Sequence, residues 1–118
     1  MNSVLVIDDD ARMLKLIKDY LQDIYDVYPI KSGPQALDFL KDAKPDVILL
    51  DYQMPRMDGP STLKEIRKIE GCEEIPVFFL TGMTEKEVVD ECMEYRPRGY
   101  LMKPVARVEL LRALDKIS

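Results

Sequence analysis

Apolar residues gather along the chain in five short runs: SVLVI (Ser3 to Ile7), YDVYPI (Tyr25 to Ile30), DVILL (Asp46 to Leu50), PVFFL (Pro76 to Leu80) and GYLM (Gly99 to Met102). Three of them are nearly continuous rather than alternating, the pattern of parallel strands covered on both faces. Between the runs, apolar residues recur at helical spacing. Met13, Ile17, Tyr20, Leu21 and Ile24 form a first stripe, and Ala36, Leu37 and Leu40 a second. Leu63, Ile66 and Ile69 form a third; Leu110, Leu111, Leu114 and Ile117 form the last. A weaker stripe of Val88, Val89, Cys92 and Met93 predicts a helix between the fourth and fifth strands.

Ser32 with Gln35, and Thr84 with Glu87, have capping-box spacing and mark helix starts. Asp10 is expected to cap the first helix and Asp58 to sit at a turn and helix start. Each strand is separated from the next by a crossover too long for a hairpin, so the sheet should be parallel. The reading is an α/β fold of five β/α units, a single domain over residues 1–118, with helices on both faces of an open sheet. In such sheets ligands bind beyond the carboxyl ends of the strands.

Those ends carry the chemistry. Strand one runs into Asp8, Asp9 and Asp10, strand three into Asp51, strand four into Thr81 and Gly82, and strand five into Lys103. One polar residue after a strand means little. Four strands delivering acids, a hydroxyl and an amine to one edge mean more. Like charges in a row resist burial unless a cation joins them.

Composition narrows the classes. A formal net charge of −5 gives no electrostatic footprint for nucleic acid. No apolar run approaches a membrane span, and a cytoplasmic address is the expectation. Histidine is absent, which removes His-dependent triads, His zinc sites and phosphohistidine chemistry within the chain. Cys72 and Cys92 stand far apart and read as reduced thiols.

Taken together, VLVIDDD, DVILLDYQMPRMDG, FFLTG and YLMKP resemble the receiver domain of bacterial two-component response regulators, over essentially the whole chain. The resemblance implies a flavodoxin-like doubly wound sheet in strand order 2-1-3-4-5. It implies a phosphorelay function, with Asp51 as phosphoacceptor and Asp8 and Asp9 as the acid pair for Mg²⁺, Asp9 directly and Asp8 through water. The backbone carbonyl of Gln53 would be a further metal ligand. Thr81 corresponds to the hydroxyl that engages the phosphoryl group, Lys103 to its ionic partner, and Tyr100 to the switch aromatic. Lys103–Pro104 corresponds to a cis peptide bond. The implied partners are a sensor histidine kinase or phosphotransfer protein and a downstream effector, with no nucleic acid or membrane bound directly. A phosphorylation-dependent homodimer is compatible with it. So is a change on the surface of the fourth helix, fifth strand and fifth helix. Such a module is not an enzyme beyond catalysing its own phosphorylation and dephosphorylation.

The inventory makes physical sense. In the 2-1-3-4-5 order strands one and three are neighbours, about 4.8 Å apart, so Asp8, Asp9 and Asp51 converge. Three carboxylates without a counter-charge repel one another, and a hard divalent cation that keeps several waters, Mg²⁺ before zinc, relieves that repulsion. The sequence departs from the usual pattern at EYRPRGY, where Arg96, Pro97 and Arg98 precede strand five; Met83 follows the Thr-Gly pair. Two rivals remain. Asp8 and Asp10 have the Asp-x-Asp spacing of haloacid-dehalogenase-type phosphatases, but that reading leaves Asp51 and MPRMDG unused. A receiver kept purely as an unphosphorylated interaction module commonly lacks one of the reactive residues, and all are present here.

Overall fold

The computed structural model describes residues 2–82 and 95–117. Its five strands are β1 (Ser3–Ile7), β2 (Asp26–Ile30), β3 (Val47–Asp51), β4 (Val77–Thr81) and β5 (Gly99–Met102). Four helices accompany them: α1 (Ala11–Leu21), α2 (Gly33–Asp42), α3 (Gly59–Ile66) and α4 (Arg107–Asp115). The α4 helix is the fifth one expected from sequence. The fourth expected helix, with Val88, Val89, Cys92 and Met93, lies outside the described residues, as do Met83 and the Thr84–Glu87 pair.

All strand pairs are parallel and the order is β2-β1-β3-β4-β5. The parallel sheet is the one expected from the spacing of apolar runs, and its order is the flavodoxin-like one that the family resemblance implies. β1, β3 and β4 occupy the centre, which explains their unbroken apolar runs: alternate residues must be apolar on both sides. Leu5 and Ile7 face a core with Ala36, Leu40, Leu63, Ile66 and Phe79 from the α2 and α3 side. Val4 and Val6 face a second core with Leu14, Ile17, Leu21, Leu110 and Leu114 from the α1 and α4 side. A fully buried Leu or Phe contributes about 1.5–3 kcal/mol, so these two layers dominate the stability. β2 is an edge strand, where Pro29 costs no ladder bond.

The helix faces differ in detail from the predicted stripes. α1 buries Leu14, Ile17 and Leu21, while Met13 and Tyr20 are only partly buried. Ile24 is 49% exposed because the helix has ended at Leu21 and the chain is already turning into β2. Ile69 likewise lies past α3 and packs at the margin of its core. The caps follow local rules. Asp10 accepts from the Arg12 amide, Ser32 from the Gln35 amide and Asp58 from the Ser61 amide. Cys72 is a buried free thiol. Among the described residues no helix is long and apolar enough to cross a membrane.

Candidate functional site

β3 and β4 each run one residue further than their apolar runs, so Asp51 and Thr81 are the last residues of their strands. The sheet itself holds both. Ile7 pairs with Leu50, so the next residues, Asp8 and Asp51, come side by side beyond the ladder. Thr81 pairs with Met102, which puts Lys103 just past the same edge. The Lys103 amide donates to the Thr81 carbonyl at 2.8 Å, fixing its backbone there. The Lys103–Pro104 bond is cis.

Asp8 is fully buried and Asp51 only 3% exposed, whereas Asp9 is exposed. The Lys103 ammonium reaches both buried carboxylates, Asp51 Oδ1 at 3.0 Å and Asp8 Oδ2 at 3.1 Å. The other Asp8 oxygen accepts the Asp10 amide at 2.9 Å, and Asp51 Oδ1 also takes the Gln53 amide at 3.3 Å. Asp8 Oδ2 has charge compensation from Lys103, but the approach lacks hydrogen-bond geometry; that oxygen has no hydrogen-bond partner among the described residues.

One ammonium cannot neutralise two buried carboxylates. Burial pushes the Asp51 carboxyl up to about 7, and neighbouring Asp8 adds to the rise, while the Lys103 bond pulls against it. For Lys103, burial opposes the charged form but is outweighed by Asp51 and Asp8, which hold its pKa above the ordinary value. Asp8, Asp9 and Asp51 each offer an oxygen, and these oxygens lie within 4.8 Å of one another. An all-oxygen set with two buried carboxylates sharing one ammonium suits a hard divalent cation.

Asp10 stands apart. Its side chain is committed to the α1 cap, outside the acid cluster, so the Asp-x-Asp alternative lacks its second acid. Tyr100 is half-buried and stacks on Phe79, with ring centres 6.0 Å apart and planes at 13°. Phe79 meets Tyr52 edge-on at 5.3 Å, so Tyr100 joins a row of rings running behind Asp51. Gly59 was not singled out from sequence, yet it shapes the site. A Cβ at that position would meet the Asp51 carbonyl oxygen at 2.5 Å and Tyr52 Cα at 2.8 Å. The Gly59 amide donates to the Tyr52 carbonyl at 2.9 Å, so α3 starts hard against the strand that carries Asp51. Its position straight after the capping Asp58 is the signal that could have marked it.

The parallel doubly wound sheet thus brings three acids, a threonine and a lysine to its carboxyl edge, where α/β modules of this class bind their ligands. Residues 4–115 match the response regulator receiver domain family, and the chain belongs to it. Members are signalling modules of two-component systems that work with histidine kinases and effectors, not enzymes in the ordinary sense. The chain is 32% identical to chemotaxis protein CheY-3 of Vibrio cholerae over 116 residues, which span 97% of this chain and 89% of that one. The high-resolution structure of Vibrio cholerae CheY4 superposes with a TM-score of 0.95 at 31% identity, covering 100% of this chain and 99% of that one. The receiver domain of sensor histidine kinase PA1611 from Pseudomonas aeruginosa, solved with a magnesium ion in its active-site cleft, gives 0.88 at 29% identity. There the coverage is 98% and 95%.

Proposed function

We propose that Asp51 accepts a phosphoryl group from the phosphohistidine of a sensor histidine kinase or phosphotransfer protein in a Mg²⁺-dependent reaction. The observation that carries this is the Lys103 ammonium bridging Asp8 and Asp51 at one sheet edge. It is the arrangement needed to receive more negative charge than the acids alone could tolerate. An Asp51 oxygen attacks phosphorus, the P–O bond forms as the P–N bond breaks, and the donor imidazole leaves and takes up a proton. The product is an acyl phosphate, a short-lived bond suited to signalling.

Asp8, Asp9, Asp51 and the Gln53 backbone carbonyl are the residues to hold Mg²⁺. Bound there, the ion supplies the positive charge that the phosphoryl oxygens require. Burial raises the Asp51 pKa, and added positive charge beside it favours the nucleophilic carboxylate. Lys103 stays an ammonium and orients on the incoming oxygens as a point charge. Thr81, buried at the end of β4, supplies the hydroxyl that engages the phosphoryl group. Its inward movement gives Tyr100 a reason to change rotamer along the ring row.

The output surface on this reading includes β5 and α4, where Met102 and Val108 are large apolar residues left about half exposed. The setting we infer is cytoplasmic. The test is mass spectrometry after exposure to acetyl phosphate or a phosphorylated histidine kinase, with and without Mg²⁺. One phosphoryl group should appear on Asp51, depend on Mg²⁺ and vanish in Asp51→Asn. Undiminished labelling of that variant would overturn the assignment, and a wild type that never labels would favour an unphosphorylated interaction module.

A further inference from the structure

The lysine at the centre of the site sits on a loop that enters α4 without a side-chain cap. Ala106 occupies the N-cap position of α4 and provides no side-chain cap. Lys103 has a flexible four-carbon stem, so an ammonium kept close to two carboxylates needs its backbone fixed on both sides. One side is tied to β4 through the Thr81 carbonyl. The other is tied to α1. The Tyr20 hydroxyl donates to the Val105 carbonyl at 3.1 Å, across 85 residues of sequence. In return the Arg107 Nε donates to the Tyr20 carbonyl at 3.3 Å. Val105 is only 2% exposed, so its carbonyl competes little with water for that bond.

We propose that Tyr20 is a positioning residue for phosphoryl transfer: with Arg107 it clasps the 103–107 loop to α1 and thereby holds the Lys103 ammonium in reach of Asp51. The inference rests on the function proposed above and adds a residue to it. The clasp substitutes for the missing helix cap. It ties the lysine's loop to the same helix that begins beside Asp8 and Asp9, so acids and ammonium share one rigid support.

Tyr20→Phe keeps the ring and its packing and removes only the donor. Its test is the rate of Asp51 labelling by acetyl phosphate at saturating Mg²⁺, in four proteins: wild type, Tyr20→Phe, Lys103→Met and the double variant. Urea midpoints are taken alongside. The Phe variant should lose roughly fivefold in maximal rate, the size expected from one lost neutral hydrogen bond. In the Lys103→Met background the same change should leave the rate where it was, while lowering the urea midpoint as much as it does in wild type. Equal rates for wild type and Tyr20→Phe would refute the proposal. So would the same fold-loss in both backgrounds, since that is what a purely structural bond produces. If wild type and Asp51→Asn label alike, the reading of the site itself has failed and this proposal goes with it.

Discussion

Removing the charge of Asp51 should stabilise the metal-free protein, and by an amount that grows with pH. The folded chain holds this carboxyl near 7 against an ordinary value of 3.8, chiefly because it is buried. A raised carboxyl means the native state binds its proton more tightly than the unfolded state. Stability from this group is therefore fully present below about pH 3.8 and is lost progressively as the pH rises through about 7. At 1.36 kcal/mol per unit, the ionised group costs about 4 kcal/mol near pH 8 and only about 1 kcal/mol near pH 4.5. Asp51→Asn escapes that cost, which is already net of the carboxylate's bond to Lys103, since that bond pulls the pKa down. Near pH 8 the variant should come out about 4 kcal/mol more stable than wild type, and near pH 4.5 only about 1 kcal/mol. Urea unfolding of both proteins in chelator at the two pH values measures the difference. Saturating Mg²⁺ should shrink the wild type's deficit at high pH, since a bound cation pays the repulsion that the variant avoids. A stability difference that stays flat between the two pH values would refute the claim that Asp51 is buried with its charge undercompensated.

Four further outcomes follow from particular residues. Asp9→Ala should lose roughly tenfold or more in Mg²⁺ affinity by calorimetric titration, about 1.4 kcal/mol or more. Asp10→Ala should keep its affinity and instead lose about 1 kcal/mol of stability with its helix cap; the reverse order of affinities would mean the triple aspartate has been read in the wrong register. Gly59→Ala forces a methyl against the Asp51 carbonyl and Tyr52, so its urea midpoint should fall by the equivalent of about 1–3 kcal/mol, and an unchanged midpoint would show that α3 can back away freely. Thr81→Ala should still label on Asp51, but with beryllofluoride in place of the phosphoryl group its amide shifts around Tyr100 should be smaller than in wild type. Equal shifts would uncouple the threonine from the aromatic.

How much of this could be read from the chain alone depended on how local each cause is. Asp10 was read as a helix cap and Asp58 as a turn and helix-start residue because such roles are decided within three residues, and both side chains accept a first-turn amide. The parallel sheet followed from run lengths and crossover lengths, and its strand ends then nominated Asp8, Asp51, Thr81 and Lys103. Asp51 and Lys103 lie 52 residues apart, yet a rule about strand ends brings them to one edge, where they meet at 3.0 Å. The α1 face was misjudged at Ile24 because periodicity alone does not say where a helix stops, and one extra turn carries the stripe past its end. Gly59 was missed because its constraint is the closeness of the backbone at the end of β3, not a turn of its own. Arg67 shows the same limit in a harsher form. Its guanidinium donates to the carbonyls of Cys72, Ile75, Tyr95 and Arg96, joining the loop before β4 to the one before β5. Every residue has a carbonyl, so such acceptors carry no signature in sequence. The Tyr20–Val105 bond is of that kind too. A side chain that recognises a side chain leaves two marks in the sequence, and one that recognises backbone leaves one, which is why the acids and the lysine were legible and the clasp that holds them in register was not.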